Sequence, residues 1–592
     1  MNNMKRKEFL KMGGLTLLAP LGNSLLMRAA ANTGKNNWDN DDIMQRLLAA
    51  NDKQVDQLLE TVRPGNLSFS RKIGYDIATF SSSYCYVKSK YYHSAVIIPK
   101  IELLVDFLAS SQATDGTVNV GNLESPPDTA FLMEILCTAA AILIKDGSKE
   151  LSAINTGLKK IITKAGDALS KGGVHTPNHR WVISAALSQI NALYPDKKYT
   201  DRINDWLGEG VYIDKDGHFP ERSGTYSAVE TTAFISIARA LNKPALLEPV
   251  RKNLDMYFYY IEQNGELVSN DSRRQDQYAP RSAALFYMQF RYMAIRDNNP
   301  HYAAIAKMLE SAILFDFEVL NRSLFYFLEN ETMQKTLPVP EQLPESYEKL
   351  FTTSHLLRIK RKNITTTLFG GVDWPLTIAS GRSCSPNFFS YRKGKAILKY
   401  MRLSSDFFSM GYFYSEGIKK EGNKYILHKK LVVPYYQPLP KDKRNSSGDY
   451  KLTPSIDDRF WNKMDFKNRP LSNIKTLDTT ITFTENNGVV DLDIEVKGLQ
   501  GLPVTVELCF TEGGKLSGVS APENENYFLE NGNGKYEFEG DAINFGPGAA
   551  AVKKIDNLEG ERYSTHFGSL RTKGMHVYLA GITPFTHKLF FS

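Results

Sequence analysis

Cysteine is scarce in this chain: Cys85, Cys137, Cys384 and Cys509 are scattered over 592 residues. None belongs to a Cys-x-x-Cys pair or to a Cys/His spacing that holds zinc. A zinc module is excluded, and the thiols are expected to be buried or to form at most one disulfide. No metal or cofactor is expected. Charge of one sign is also sparse. The formal net charge is +7, and Lys5, Arg6, Lys7, Lys11 and Arg28 against Glu8 place +4 of it in the first 31 residues. The remaining +3 is too weak to attract nucleic acid.

Those first residues read as an export signal over 1–31. A charged stretch at Lys5-Arg6-Lys7 precedes a short apolar run from Gly13 to Leu26, and Ala29-Ala30-Ala31 offers a small-residue cleavage site. The run is too short to span a bilayer comfortably, so stable membrane insertion is not expected. Arg6 to Lys11 resembles a twin-arginine signal with lysine as its second basic residue, which leaves the export route open. No cysteine precedes Cys85, so the leader lacks a lipid attachment site. A periplasmic or secreted location follows as an expectation.

What the chain has in quantity is apolar and aromatic material, 42% and 11% of residues, enough for a fully folded protein. Its length exceeds what one core usually supports, so two large domains are expected. From about 40 to 330 apolar residues recur at helical spacing, as in Ile101 to Leu108 and Phe131 to Leu143. Polar loops between them recur steadily. Asp128, Asn178, Tyr226 and Asp271 are separated by 50, 48 and 45 residues, with the Tyr84 to His93 segment placed one step earlier. Such a period accommodates two helices of roughly 15 residues with their connections, so each unit is a helical hairpin. An (α/α) toroid over 32–335 is the expected outcome, with a helical solenoid as the alternative. Three prolines at Pro338, Pro340 and Pro344 mark a linker over 336–350. Beyond it, alternating segments such as Thr480 to Thr484 and Val489 to Val496 predict an antiparallel β-sandwich over 351–592, in which Lys441 to Pro454 forms a long exposed loop.

The chemistry concentrates in two loops. His175-Thr-Pro-Asn178-His179-Arg180-Trp181 and Asp216-Gly-His218-Phe-Pro-Glu221-Arg222-Ser-Gly-Thr-Tyr226 each run into an apolar helical pattern. Asn178 and His179 then stand at a helix start, where unpaired N–H groups favour anions. The plainer account of Asn178 alone is an N-cap. A phenol titrates near 10, so Tyr226 acts as a base near neutrality only if cations such as Arg222 favour its anion. Arg273 and Arg274 in the next loop either form surface ion pairs or clamp a substrate carboxylate. Asp128 either caps its helix or contacts sugar hydroxyls. His175, Arg180, Trp181 and Glu221 complete the candidate substrate-binding set.

Asn178-His179 and the Asp216 to Tyr226 segment resemble the heparinase II/III-like and alginate-lyase-like polysaccharide lyases, over roughly residues 75 to 300, with an architectural likeness beyond 345. The resemblance implies a helical toroid joined to a β-sandwich, and elimination across C4 and C5 of a uronate. It implies Asn178 as the group neutralising the uronate carboxylate, His179 as neutraliser or base, and Tyr226 as base or acid. A further catalytic residue from the sandwich has no clear counterpart here. The substrate would be an acidic polysaccharide or oligosaccharide. The elimination needs preorganised donors for the charge developing on the carboxylate, a base for the C5 proton and an acid for O4. Two other functions compete: a glucuronidase-like toroid hydrolase using two of Glu221, Glu230, Asp128 and Asp271, and a glycan-binding protein without activity. Oligomeric state is left open.

Overall fold

The computed structural model describes residues 43–120, 122–274, 276, 281–371, 385–408, 411–456, 461–520, 526–549 and 573–592. The leader expected over 1–31 and Cys384 lie outside these residues. The chain divides into two compact units, Met1–Val268 with Pro280–Leu343, and Ser269–Ala279 with Pro344–Ser592. The principal break falls inside the proline-rich segment.

The described part of the first unit holds twelve α-helices: α1 (Ile43–Thr61), α2 (Lys72–Cys85), α3 (Ile98–Ser111), α4 (Pro126–Asp146), α5 (Ser152–Leu169), α6 (Pro177–Leu193), α7 (Lys197–Gly208), α8 (Gly224–Ala240), α9 (Glu248–Tyr257), α10 (Tyr287–Asp297), α11 (Pro300–Leu309) and α12 (Leu324–Glu329). Alternate helices form two layers. The inner helices α2, α4, α6 and α8 pack in succession, and α8 continues to α10, while α3, α5, α7 and α9 pack outside them. Composition explains the sorting. In α6 every residue from Trp181 to Ser188 is buried, so that helix is covered on all sides. In α7 only Tyr199 and Ile203 are buried, one turn apart, as suits a helix with a single inward stripe. Helix α4 is long and apolar enough to cross a membrane, but 78% of its apolar window is buried inside the protein, as in a core helix.

The second unit is built from strands. The chain's strands are β1 (Glu266–Leu267) and β2 (Arg281–Ser282) in the first unit, then β3 (Ser346–Phe351), β4 (Leu356–Arg361), β5 (Ile364–Phe369), β6 (Phe389–Lys393), β7 (Ala396–Ser405), β8 (Gly411–Tyr412), β9 (Lys419–Glu421), β10 (Lys424–Tyr436), β11 (Thr453–Pro454), β12 (Trp461–Asn462), β13 (Leu471–Asn486), β14 (Val489–Gly498), β15 (Pro503–Phe510), β16 (Lys515–Ser517), β17 (Asn526–Phe528), β18 (Gly534–Phe538), β19 (Asp541–Gly546), β20 (Met575–Ile582) and β21 (Phe585–Phe591). One large sheet runs β17-β20-β15-β7-β6-β5-β4-β3, with β8 added at β7, and the other runs β16-β18-β19-β21-β14-β13-β10-β9. Pairing is antiparallel except for the short β17–β20 pair, which is parallel. Phe389 of the first sheet meets Phe483 and Phe591 of the second at ring-centroid distances of 6.3 and 5.1 Å, in the core of a sandwich. Strand β14 alternates as one wet face requires: Val490, Leu492, Ile494 and Val496 point inward, while Asp491, Asp493 and Glu495 point out.

Strand β15 is buried on both faces. Opposite its core-facing side, Glu507 and Cys509 lie beside Arg402 and Tyr400 of β7 and beside Tyr578 and His576 of β20. His576 Nδ1 and Glu507 Oε1 are 2.9 Å apart, and the Cys509 thiol is 4.0 Å from Nε2. Arg402 is 3.8 Å from Glu507, stacks on Tyr400 and donates to Asn387 Oδ1 at 2.6 Å. Burial disfavours the imidazolium, but the thiol and the carboxylate outweigh it and push His576 up to about 9.

Candidate active site

Because an outer helix separates each inner helix from the next, the inner helices run in one direction and share one end for their N-termini. That end collects Arg71 at the N-cap of α2, Asp128 in the first turn of α4, Asn178 in the first turn of α6 and Tyr226 in the first turn of α8. The first step of the series is therefore Arg71. The Tyr84 to His93 segment, expected at this rim, is at the opposite end. There His93 Nε2 bonds Asp146 at 2.8 Å and Tyr84 meets Ser148, at the C-terminus of α4. From Asp128 to Asp146 the helix rises roughly 27 Å at 1.5 Å per residue.

Asn178 is fully buried and is not the cap of α6. Thr176 holds that position, Pro177 follows it, and Asn178 is next. Its amide Nδ2 donates to Glu221 Oε1 at 2.6 Å and to Thr176 Oγ1 at 3.0 Å. The same Glu221 oxygen is 3.4 Å from the Asn178 backbone nitrogen, so a carboxylate from the loop before α8 sits against the positive end of α6. The orientation of the amide is thereby fixed: its nitrogen faces a carboxylate, and its buried Oδ1 has no protein partner. Glu230, one turn after Tyr226, is likewise fully buried, and neither carboxyl oxygen has a hydrogen-bond partner. Burial first, then repulsion from Glu221, raises Glu230 well above the usual carboxylate range against the pull of Arg180. Burial without a hydrogen-bond partner therefore favours the protonated form of Glu230.

Tyr226 is half-buried, and its backbone N–H donates to the Ser223 hydroxyl that caps α8. Just before that cap Arg222 adopts a left-handed backbone, φ 48°, an uncommon conformation for a residue with a side chain. The Arg71 guanidinium lies close enough to Tyr226 to interact with it electrostatically. Burial lowers the Arg71 guanidinium, while the charges of Asp128, Tyr75 and Tyr226 favour it. Arg71 bonds Asp128 and lies over the Phe131 ring at 4.3 Å. Asp128 also accepts from Asn122 Nδ2 at 2.9 Å; burial works against its anion, but Arg71, Asn122 and Ser125 hold it below the usual range. Asp128 is therefore a buried member of an ion pair that positions Arg71.

The other candidates separate. Trp181 is 2% exposed and packs on Phe234 at 5.0 Å, with Arg180 over its outer face at 4.6 Å. These contacts pack the indole into the helical core. Arg180 reaches Glu209 at 2.7 Å. His175 is exposed, and its backbone nitrogen is 3.4 Å from His179 Nδ1. His218 is buried and bonds the Tyr260 hydroxyl at 2.8 Å. Arg273 and Arg274 lie in Ser269–Ala279, which groups with the second unit. Asn270 of that segment donates to the Asn387 carbonyl at 2.7 Å, and Arg274 N donates to Ser272 Oγ at 3.1 Å. Sequence reasoning did not single out Arg71, although Ser70-Arg71-Lys72 stands at a loop-to-helix junction 57 residues before Asp128, close to the repeat spacing. Among the described residues no group of three or more His, Cys, Asp or Glu side chains is arranged to hold a metal ion.

No protein-family model and no curated protein matches the chain. Solved structures do. A heparinase III structure superposes with a TM-score of 0.53 at 13% identity, over 99% of this chain and 97% of the other. The chondroitin AC lyase of Streptomyces coelicolor A3, in complex with chondroitin sulphate, gives 0.52 at 12% identity over 96% of this chain and 82% of that enzyme. A Paenibacillus xanthan lyase gives 0.55 at 11% identity, over 99% of this chain but 58% of that one. At such identities the likeness concerns the fold, helical hairpins followed by antiparallel β-sheets. The chain has the toroid-plus-sandwich fold of the polysaccharide lyases.

Proposed function

We propose that the protein is an exported polysaccharide lyase that cleaves a uronic-acid-containing glycan by β-elimination, in the periplasm or outside the cell. The observation that carries this reading is the fixed amide of Asn178 on the rim that also bears Tyr226. Glu221 holds one amide hydrogen. The other is engaged only by Thr176 Oγ1, and a uronate carboxylate entering the rim takes its place. Removing the C5 proton delocalises charge onto that carboxylate, so a donor set in advance is worth more in the transition state than in the ground state. Tyr226, next to the Arg71 cation, takes the C5 proton and returns one to O4. His179, one residue beyond Asn178, assists at the carboxylate or the proton. The expected product carries an unsaturated sugar, seen as rising far-ultraviolet absorbance when uronate polymers are supplied. Tyr226→Phe removes that signal and leaves the thermal transition in place; an undiminished signal takes Tyr226 out of the mechanism.

One observation favours a hydrolase: Glu221 and Glu230 are neighbouring carboxyl groups whose environments differ, as an acid and a base require. Both are fully buried, as Asn178 is, so burial does not separate hydrolysis from elimination. Product masses decide, because hydrolysis adds water and elimination does not.

A further inference from the structure

Strands β10 and β13 continue past their sheet. Beyond Leu431 and Leu477 they pair only with each other, making a two-stranded ribbon. The described residues 437–456 and 461–470 follow from its end and contain the β11–β12 pair. The excursion is tied down: the Tyr436 and Phe466 rings are 4.6 Å apart, and Arg469 donates to the Gln437 carbonyl at 3.1 Å.

This small element concentrates two unusual properties. Of the 17 large apolar side chains exposed among the described residues, eight fall between residues 432 and 474. Val432, Tyr435, Leu471 and Ile474 belong to the ribbon, and Leu452, Ile456, Trp461 and Met464 to the excursion. Ile456 and Trp461 are 60% and 62% exposed, so these are side chains held in water. Residues 429–475 also contain eleven Lys and Arg against five Asp, a net +6 in a chain whose total is +7. Lys430, Lys441, Lys451 and Lys467 are exposed and have no ion-pair partner among the described residues.

Three occupants can be weighed against these facts. A second copy of the chain is opposed by charge, since two ribbons of net +6 would meet. Pairing along the free edge of β10 is opposed by Lys430, Pro434 and the bulge between Val433 and Tyr435, devices that blunt an edge. A glycan uses aromatic faces and hydrogen bonds, and has no use for six exposed aliphatic side chains. An anionic lipid surface uses both properties at once: apolar tips and a Trp enter the headgroup boundary while lysines meet phosphates. We propose that the β10–β13 ribbon seats the protein peripherally on an anionic lipid bilayer. This is independent of the chemistry proposed for the helical unit.

The experiment is flotation of the full chain with vesicles of phosphatidylglycerol and phosphatidylethanolamine, and with vesicles of phosphatidylcholine alone. Binding is expected to the anionic vesicles and to weaken by about ten-fold when salt rises from about 0.05 to 0.5 M. Ile456→Ser with Trp461→Ser should lower retention about ten-fold at either salt, since the apolar contribution is not screened. Lys441→Glu with Lys451→Glu and Lys467→Glu should lower it at low salt only. Unchanged thermal transitions verify that these surface variants fold. The proposal is overturned by absence of binding to the anionic vesicles, by equal binding of wild type and variants, or by variant-sensitive retention on a soluble acidic polysaccharide without vesicle binding.

Discussion

The helical unit and the strand unit both bury acidic side chains, and beyond pairing, which both use, the helical unit has a second answer to the electrostatic cost. An ionised carboxylate taken out of water costs several kcal/mol unless it is paired or stays protonated. In the strand unit the answer is pairing: Glu485 meets Arg361 at 2.8 Å, and Glu507 stands between His576 and Arg402. In the helical unit the answer at Glu230 and Glu134 is the proton. Glu230 has no hydrogen-bond partner, and burial alone pushes Glu134 up to about 8. The ion pairs of the strand unit tie strands together, Arg361–Glu485 between the two sheets and Glu507 with its neighbours within one.

Substitutions can break that contrast. The largest effect is expected for Asn178→Ala, which removes a preorganised donor: elimination by the initial-rate absorbance assay should fall by about 10²–10³ per folded molecule, beside a stability loss of about 1–3 kcal/mol from the buried Glu221 oxygen it deprives of a donor. Loss of stability without loss of rate per folded molecule would leave Asn178 a structural role only. In the strand unit Arg402→Met strands Glu507 without its guanidinium, and urea denaturation should show a loss of about 3–5 kcal/mol, with unaltered turnover per folded molecule. Acid and base titrations then separate the units. His576 holds its proton more tightly folded than unfolded, so its contribution is complete below about 6.5 and is lost as pH rises through about 9. His576→Gln should flatten the fall of stability across that window. Glu134 also holds a proton when folded, so stability falls as pH rises from about 4.5 towards 8. Glu134→Gln should remove that slope and stabilise the protein at pH 8, the reverse of Arg402→Met. The smallest change is expected for Glu230→Gln, an isostere of the neutral acid, at less than about 1 kcal/mol; a large loss would mean that Glu230 is ionised.

Much of this architecture is legible in the chain because it rests on local periodicity. The helical spacing around Phe131 and Trp181, the strand alternation of Val489 to Val496 and the proline-rich break all report which faces must leave water. Asn178 and Tyr226 are placed at helix starts by Pro177 and Ser223, whose preferences are local. Partners are a different matter. Arg71 and Asp128 lie 57 residues apart and meet only because two inner helices are neighbours. Trp181, named in the substrate-binding set, packs on Phe234, a contact 53 residues away in sequence. The Tyr84 to His93 segment matched the loop period yet sits at the other end, since a spacing counts residues and not direction. Arg273 and Arg274 matched it too, in a segment that groups with the strands.

The sequence by itself determined the two kinds of secondary structure, their division near Pro344 and the placing of polar groups at helix N-termini, because each follows from neighbours within a few turns. Only the tertiary structure decided that Asn178 has its amide turned to Glu221, that Arg71 pairs with Asp128, and that Glu230 is buried without a hydrogen-bond partner. Those depend on which distant side chains share a volume from which water is excluded, and there the cost of an unpaired charge selects the partner.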